Sequence, residues 1–176
     1  MFTNDDLVVY PAQGVGKIES IDKQTVGGVS YEFYIVRILT NNITLMVPVA
    51  NASNVGLRCL ITTEQAQTIL DTLSADPSSG QIYTGQNWNR RYREYSEKLK
   101  SNDLSDVALV LRELMLIGRT KELSFGERRL LEQAMVLVVG EIAEVLQIPE
   151  LQIREHIQSF LVVPAETLPV AEEIKK

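Results

Sequence analysis

Two hydrophobic periods divide this chain, and no single layer of secondary structure satisfies both. Over the first sixty residues, short runs rich in Val, Ile and Tyr (Leu7 to Tyr10, Gly16 to Asp22, Tyr31 to Leu39, Ile43 to Val47) are separated by turn signals. Those signals are Pro11 to Gly14, Val26-Gly27-Gly28 and Thr40-Asn41-Asn42, and the last two are placed as hairpin turns. Several short strands with tight turns in so small a span predict a strongly twisted barrel or half-barrel. From residue 88 onward, apolar positions recur every three or four residues, the spacing of one helix face. The expected fold class is α+β, with a small N-terminal β-barrel or half-barrel domain followed by a compact C-terminal all-helical domain.

The boundary between the halves is also readable. Thr62 and Gln65 have the spacing of a capping box, which predicts a short helix to Leu73 that closes a β-rich domain over residues 1–73. Residues 74–86 contain Asp76-Pro77-Ser78-Ser79-Gly80 and read as a linker. In the helical domain, residues 87–162, Asn87 is placed to cap a helix whose stripe is Trp88, Tyr92, Tyr95 and Leu99. Asp103 caps the next helix, with Val107, Leu111, Leu114 and Met115 on its apolar face. Ser124 and Glu127 form a second capping box, opening a helix to about Leu146. Its interior, Ala134 to Val139, is wholly apolar, which predicts the buried central helix. Pro149 then sits as a first-turn proline ahead of Leu151, Ile153, Ile157 and Phe160. Residues 163–176, interrupted by Pro164 and Pro169, are expected to be a flexible tail.

Composition narrows the function. A hydrophobic content of 45% over 176 residues can bury a real core. No apolar run approaches the ~18 residues needed to cross a bilayer, and Met1 to Asp6 has no basic leader. A soluble, cytoplasmic, monomeric protein without membrane association is expected. His156, the single histidine, falls beside the stripe of Ile153, Ile157 and Phe160 and reads as solvent-facing. Cys59, the single cysteine, lies in Leu57-Arg58-Cys59-Leu60-Ile61, which reads as a buried strand with a core thiol. One histidine and one cysteine make no nitrogen and sulfur metal cluster. Gly14-Val15-Gly16 lacks the third glycine and following helix of a dinucleotide fingerprint. No catalytic constellation and no cofactor are therefore expected, and the chain does not read as an enzyme.

Charge points elsewhere. The net charge is -6, but its distribution is uneven. Residues 1–75 carry four Lys/Arg against seven Asp/Glu, residues 77–130 ten against seven, and residues 131–176 three against eight. A basic centre between acidic ends fits one cationic face rather than a generally DNA-attracting molecule. That centre holds Asn87-Trp88-Asn89-Arg90-Arg91-Tyr92-Arg93, with the only tryptophan of the chain. On periodicity Trp88 begins a core stripe. On position it stands at a helix start, where unpaired amides and the dipole attract phosphate, and an exposed ring could wedge into a minor groove. Arg128 and Arg129 fall in the first turn after Ser124, where cations oppose the helix dipole. A solvated face or a salt bridge to Glu127 or Glu132 accounts for them more simply than a DNA contact does.

Five motifs resemble, in order and spacing over roughly residues 1–160, the CarD/CdnL family of bacterial RNA polymerase-binding transcription factors. They are Tyr10-Pro11-Ala12-Gln13-Gly14-Val15-Gly16, Met46-Val47-Pro48, Val55-Gly56-Leu57-Arg58, Trp88 to Tyr95, and Leu123 to Arg129. The resemblance implies a Tudor-like N-terminal domain that docks on the polymerase β subunit, related to the polymerase-binding module of the transcription-repair coupling factor. It also implies a helical domain that touches promoter DNA weakly and without sequence preference. The tryptophan matching Trp88 would wedge into the minor groove at the upstream edge of the transcription bubble and stabilise the open complex. By motif position, the polymerase contact would fall on the strands carrying Val36, Met46 and Pro48. Arg90 and Arg91 would lie near the DNA backbone, with Arg128 and Arg129 assisting. Some relatives carry a basic residue where Met46 stands, which implies a more apolar contact here.

Two other readings remain from the residues. A protein-binding adaptor would dock on polymerase and recruit another factor without touching DNA, and would bury Trp88. An autonomous operator-binding repressor needs a polar recognition helix. The helix after Ser124 is too apolar for that role.

Overall fold

The computed structural model describes residues 1–75 and 87–160. Most of the expected linker, 76–86, and the expected tail, 163–176, lie outside the described residues.

Strands β1 (Leu7–Tyr10), β2 (Gly14–Val26), β3 (Val29–Ile38) and β4 (Thr44–Pro48) form one antiparallel sheet in chain order. This curled half-barrel is the architecture expected from the strand and turn spacing. Val26 pairs with Val29 across Gly27 and Gly28, both at positive φ (61° and 80°), so the turn needs two residues that tolerate the left-handed region. β2 and β3 run longer than their sequence patterns, because paired backbone continues past the apolar alternation into an exposed hairpin end. Curvature comes from a bulge: Ile18 pairs with Val36 but Ser20 with Ile35, leaving Glu19 as the extra residue. At Gly16 the strands approach so closely that a Cβ would stand 2.7 Å from Val36 Cγ1 and 3.0 Å from the Arg37 carbonyl. The concave face packs Val8, Ile18, Tyr34, Val36, Ile38, Val47, Ala52 and Leu57 into one core.

A short 3₁₀ turn (Val49–Asn51) follows, then α1 (Thr63–Ser74), α2 (Trp88–Lys100), α3 (Leu104–Thr120), α4 (Phe125–Leu146) and α5 (Glu150–Ser159). Both capping boxes form, Thr62 with Gln65 and Ser124 with Glu127. Asn87 and Asp103 cap α2 and α3 through their side chains. Pro149 stands one residue outside α5, as its N-cap. α4 is central, burying Leu130, Ala134, Val138, Val139 and Ile142 in the second core. Among the described residues, no helix is long and apolar enough to cross a membrane.

Two expectations change. The helix grouped with the β domain, α1, turns Ala66, Ile69, Leu70 and Leu73 into the helical core instead. Its apolar stripe is satisfied by α3, α4 and α5, which chain proximity to the β strands did not reveal. Cys59 is exposed rather than buried. Among residues 57–61 only Arg58 pairs, with Val9, so no second strand covers the thiol. The segment instead passes from one core to the other, with Leu57 in the β core and Ile61 against the helical one.

Candidate nucleic-acid interface

The starts of α2 and α4 lie side by side because Trp88, at the first position of α2, rests on Gly126. A Cβ at Gly126 would stand 3.0 Å from Trp88 Cζ2, so any larger residue there would press the ring aside by a few tenths of an ångström. Tyr92 lies one turn along, its ring centroid 5.6 Å from that of Trp88 and tilted by 59°. The Arg91 guanidinium carbon stands 5.3 Å from the Trp88 centroid, within cation–π range. Trp88 is thus half-buried, backed by the helical core but not enclosed by it.

Glu127 holds this arrangement. Its carboxylate accepts from Arg91 Nη2 at 2.7 Å, from Lys121 Nζ at 3.1 Å and from the Ser124 backbone N–H at 2.8 Å. The Glu127 side chain is 1% exposed and that of Arg91 12%. Arg91 therefore points inward, and its expected place near the DNA backbone is corrected: the guanidinium is held between Glu127 and Trp88. Burial pushes the Glu127 carboxyl up, but the Ser124 N–H, the Lys121 ammonium and the Ser124 hydroxyl outweigh it and hold it below its ordinary 4.5. A depressed folded value means that the stabilisation is complete above the unfolded value and is lost as pH falls through the folded one. Melting midpoints of wild type and Glu127→Gln should differ most near neutrality and converge as the pH is taken below 4.5. A gap that persists at low pH would show that ionised Glu127 is not the stabilising species.

The other cations of this end point outward. Arg90 is exposed and pairs with Glu94 on the next turn at 3.0 Å. Arg128 pairs with the exposed Glu122 at 3.2 Å, and Arg129 is exposed with no ion pair among the described residues. Neither arginine bridges to Glu127 or Glu132: Glu127 belongs to Arg91 and Lys121, and Glu132 to Arg154 at 3.1 Å. Phe125, at the first position of α4, is 78% exposed, and sequence reasoning passed over it. Its signal was available, since Phe125 is a large apolar residue ahead of the apolar stripe of its own helix.

On the β domain, Met46 and Pro48 lie on the outer face of the sheet. Met46 pairs with Ile35 and Pro48 with Phe33, giving an apolar strip beside the outer edge formed by β4. Met46 is half exposed. Val36 is corrected as a contact, because it points to the opposite face and is wholly buried in the β core. Alternation along β3 puts Ile35, not Val36, beside Met46.

Sequence reasoning also missed what joins the domains. Arg58 Nη1 and Nη2 donate to Glu141 Oε1 and Oε2 at 2.5 and 2.9 Å, and Arg58 Nε donates to the Asn102 carbonyl at 2.8 Å. Glu141 Oε1 also accepts the Ile61 N–H at 3.0 Å. Nearby, Gly14 of β2 leaves a gap that Leu137 of α4 approaches. Glu141 is the one charged residue between Ala134 and Ala143, and that was the available signal. His156 is exposed, edge-on to Phe160. Among the described residues no group of three or more His, Cys, Asp or Glu is placed to hold a metal ion.

Residues 68–158 match the family model of the CarD C-terminal domain, and residues 2–61 that of the CarD-like/TRCF RID domain. A protein of Bacillus subtilis (strain 168) named "Putative transcription factor YdeB" is 26% identical over 154 residues, covering 88% of this chain and 98% of its own. Among solved structures, CdnLNt from Myxococcus xanthus is 41% identical over 35% of this chain and 86% of its own, with a TM-score of 0.30.

Proposed function

The chain belongs to the CarD/CdnL family of transcription factors, and from that premise we propose that it binds the β subunit of RNA polymerase and stabilises the promoter open complex. The β domain docks through the outer strip of Phe33, Ile35, Met46 and Pro48. The helical domain brings Trp88 into the minor groove at the upstream edge of the bubble, and Arg90, Arg128 and Arg129 meet phosphates on either side.

The observation that carries this reading is the mounting of Trp88. The indole rests closely on Gly126 and keeps part of its ring in solvent at a helix start flanked by outward cations, a placement that suits a wedge better than a ring serving only to fill the core. Charge agrees with a tethered mode of action. With a net charge of -6 and few outward cations, the protein should bind free DNA weakly, with strong salt sensitivity. Docking on polymerase raises the local concentration to the ~mM range, where weak contacts suffice.

A factor shifts the closed-to-open equilibrium only by binding the open state more tightly, about tenfold in population for each ~1.4 kcal/mol. A wedge supplies such a difference, because unstacking a step of intact duplex costs a few kcal/mol and a partly melted edge less. The test is the lifetime of open complexes of the cognate polymerase on a ribosomal RNA promoter, without factor, with wild type and with Trp88→Ala. Wild type should lengthen the lifetime and the substitution should remove the effect while polymerase binding survives. No change with polymerase-bound wild type would favour the adaptor instead.

A further inference from the structure

Between the loops of the β domain and the first three turns of α4 lies a cavity of about 540 Å³, within the ~300–1,000 Å³ range of small-ligand sites. Ala12 of the β1–β2 turn and Val136 and Leu137 of α4 give it apolar walls, and Phe125 stands at its lip with most of its ring in solvent. Arg128 and Arg129 line the same cavity, with the side-chain amides of Asn41 and Gln133. Glu132 lines it too, but its charge is offset by Arg154 at 3.1 Å. The partner of Arg128, Glu122, is itself 88% exposed, a surface pair that water and phosphate readily displace.

We propose that this cavity takes one unpaired nucleotide of DNA, with the base stacked on Phe125 and its phosphate held by Arg129 and Arg128. The combination selects that occupant. A flat apolar ring offers a stacking face to any base, the paired cations match a phosphate, and amides lie within the same cavity for base edges. The position agrees with this occupant, because Phe125 adjoins Gly126, the residue on which Trp88 rests. The inference rests on the proposed placement of Trp88 at the edge of the bubble, where the neighbouring nucleotides are unpaired. The protein would then hold both sides of the junction: duplex at Trp88 and single strand at Phe125.

The test is fluorescence anisotropy of the full chain at low salt with two probes, a blunt duplex and the same duplex carrying a short single-stranded thymidine overhang. Wild type should bind the overhang probe about tenfold more tightly than the blunt one, the scale of one stacked base. Phe125→Ala should abolish that preference and leave blunt-duplex affinity and the melting midpoint unchanged, since the ring is exposed. Arg129→Ala should weaken overhang binding in the same direction, whereas Trp88→Ala should weaken both probes. If Phe125→Ala binds both probes like wild type while Trp88→Ala does not, the inference falls and the DNA-contact reading stands. If wild type shows no preference for the overhang probe at any salt concentration, the inference falls, and the open-complex lifetime with Trp88→Ala decides the DNA-contact reading separately. If Phe125→Ala lowers affinity for polymerase and leaves both probes unaffected, the cavity is a protein-docking surface and the inference is overturned.

Discussion

Replacing Arg58 with methionine is expected to lower the free energy of unfolding by roughly 3 to 5 kcal/mol, the cost of leaving an enclosed charge without its partner. The Glu141 side chain is 2% exposed, and its two oxygens are met by both Arg58 amines and the Ile61 N–H. Methionine keeps much of the stem volume but provides no donor, so the carboxylate retains one backbone hydrogen bond in a site from which water is excluded. Converting both partners, Arg58→Met with Glu141→Leu, should recover most of the loss, because an apolar pair of similar volume pays no desolvation. The recovery should fall short by about 1 kcal/mol, since Ile61 N–H then lacks its acceptor. Urea titration measures all three proteins. Arg58 also joins the two cores, so in the single variant the unfolding curve from Trp88 fluorescence should separate from that by far-ultraviolet circular dichroism. A loss under 1 kcal/mol with coincident curves would mean that the packing of α4 against β2, not the ion pair, unites the domains.

Local signals in the chain were read well because they are settled within a turn. Thr62 with Gln65 and Ser124 with Glu127 meet their own backbone amides whatever the rest of the molecule does. Gly27-Gly28 likewise permits the turn it forms. What the sequence hid were choices of partner at long range. α1 carries an apolar stripe that fits either core, and only the packed structure shows which one takes it. Leu57 to Ile61 reads as a buried strand, but Cys59 has no neighbouring strand to cover it. Glu141 was invisible as a clamp because Arg58 lies 83 positions away.

The candidate interface divides in the same way. The helix start at Asn87 located Trp88, and the cap at Ser124 located Arg128 and Arg129. Neither cap could show that the two helix starts meet, because that meeting depends on Gly126 yielding space to the indole. Val36 failed as a contact for a simpler reason: motif position selects a strand, but one residue of register decides the face.

Arg90 and Arg91 should give opposite results when each is replaced by alanine. Adjacent residues on a helix project about 100° apart, so a doublet that reads as one basic patch serves two sides. Arg91→Ala removes the guanidinium that reaches Glu127 at 2.7 Å and backs the Trp88 ring, and it leaves the carboxylate to Lys121 and Ser124. Because those partners remain, the expected loss is roughly 2 to 4 kcal/mol, the lower part of the range for a broken buried pair. Trp88 emission should shift to longer wavelength and become more open to acrylamide as the ring loosens. Arg90→Ala removes an exposed pair with Glu94 and should change stability by no more than about 0.5 kcal/mol. Its effect should appear on promoter DNA, where the salt dependence of factor binding to the polymerase–promoter complex loses about 0.9 in logarithmic slope for one phosphate contact. Urea midpoints and salt titrations of the two variants separate the roles. Should Arg91→Ala leave stability intact and flatten the salt dependence while Arg90→Ala destabilises the fold and leaves the salt dependence unchanged, the inward and outward assignments are reversed.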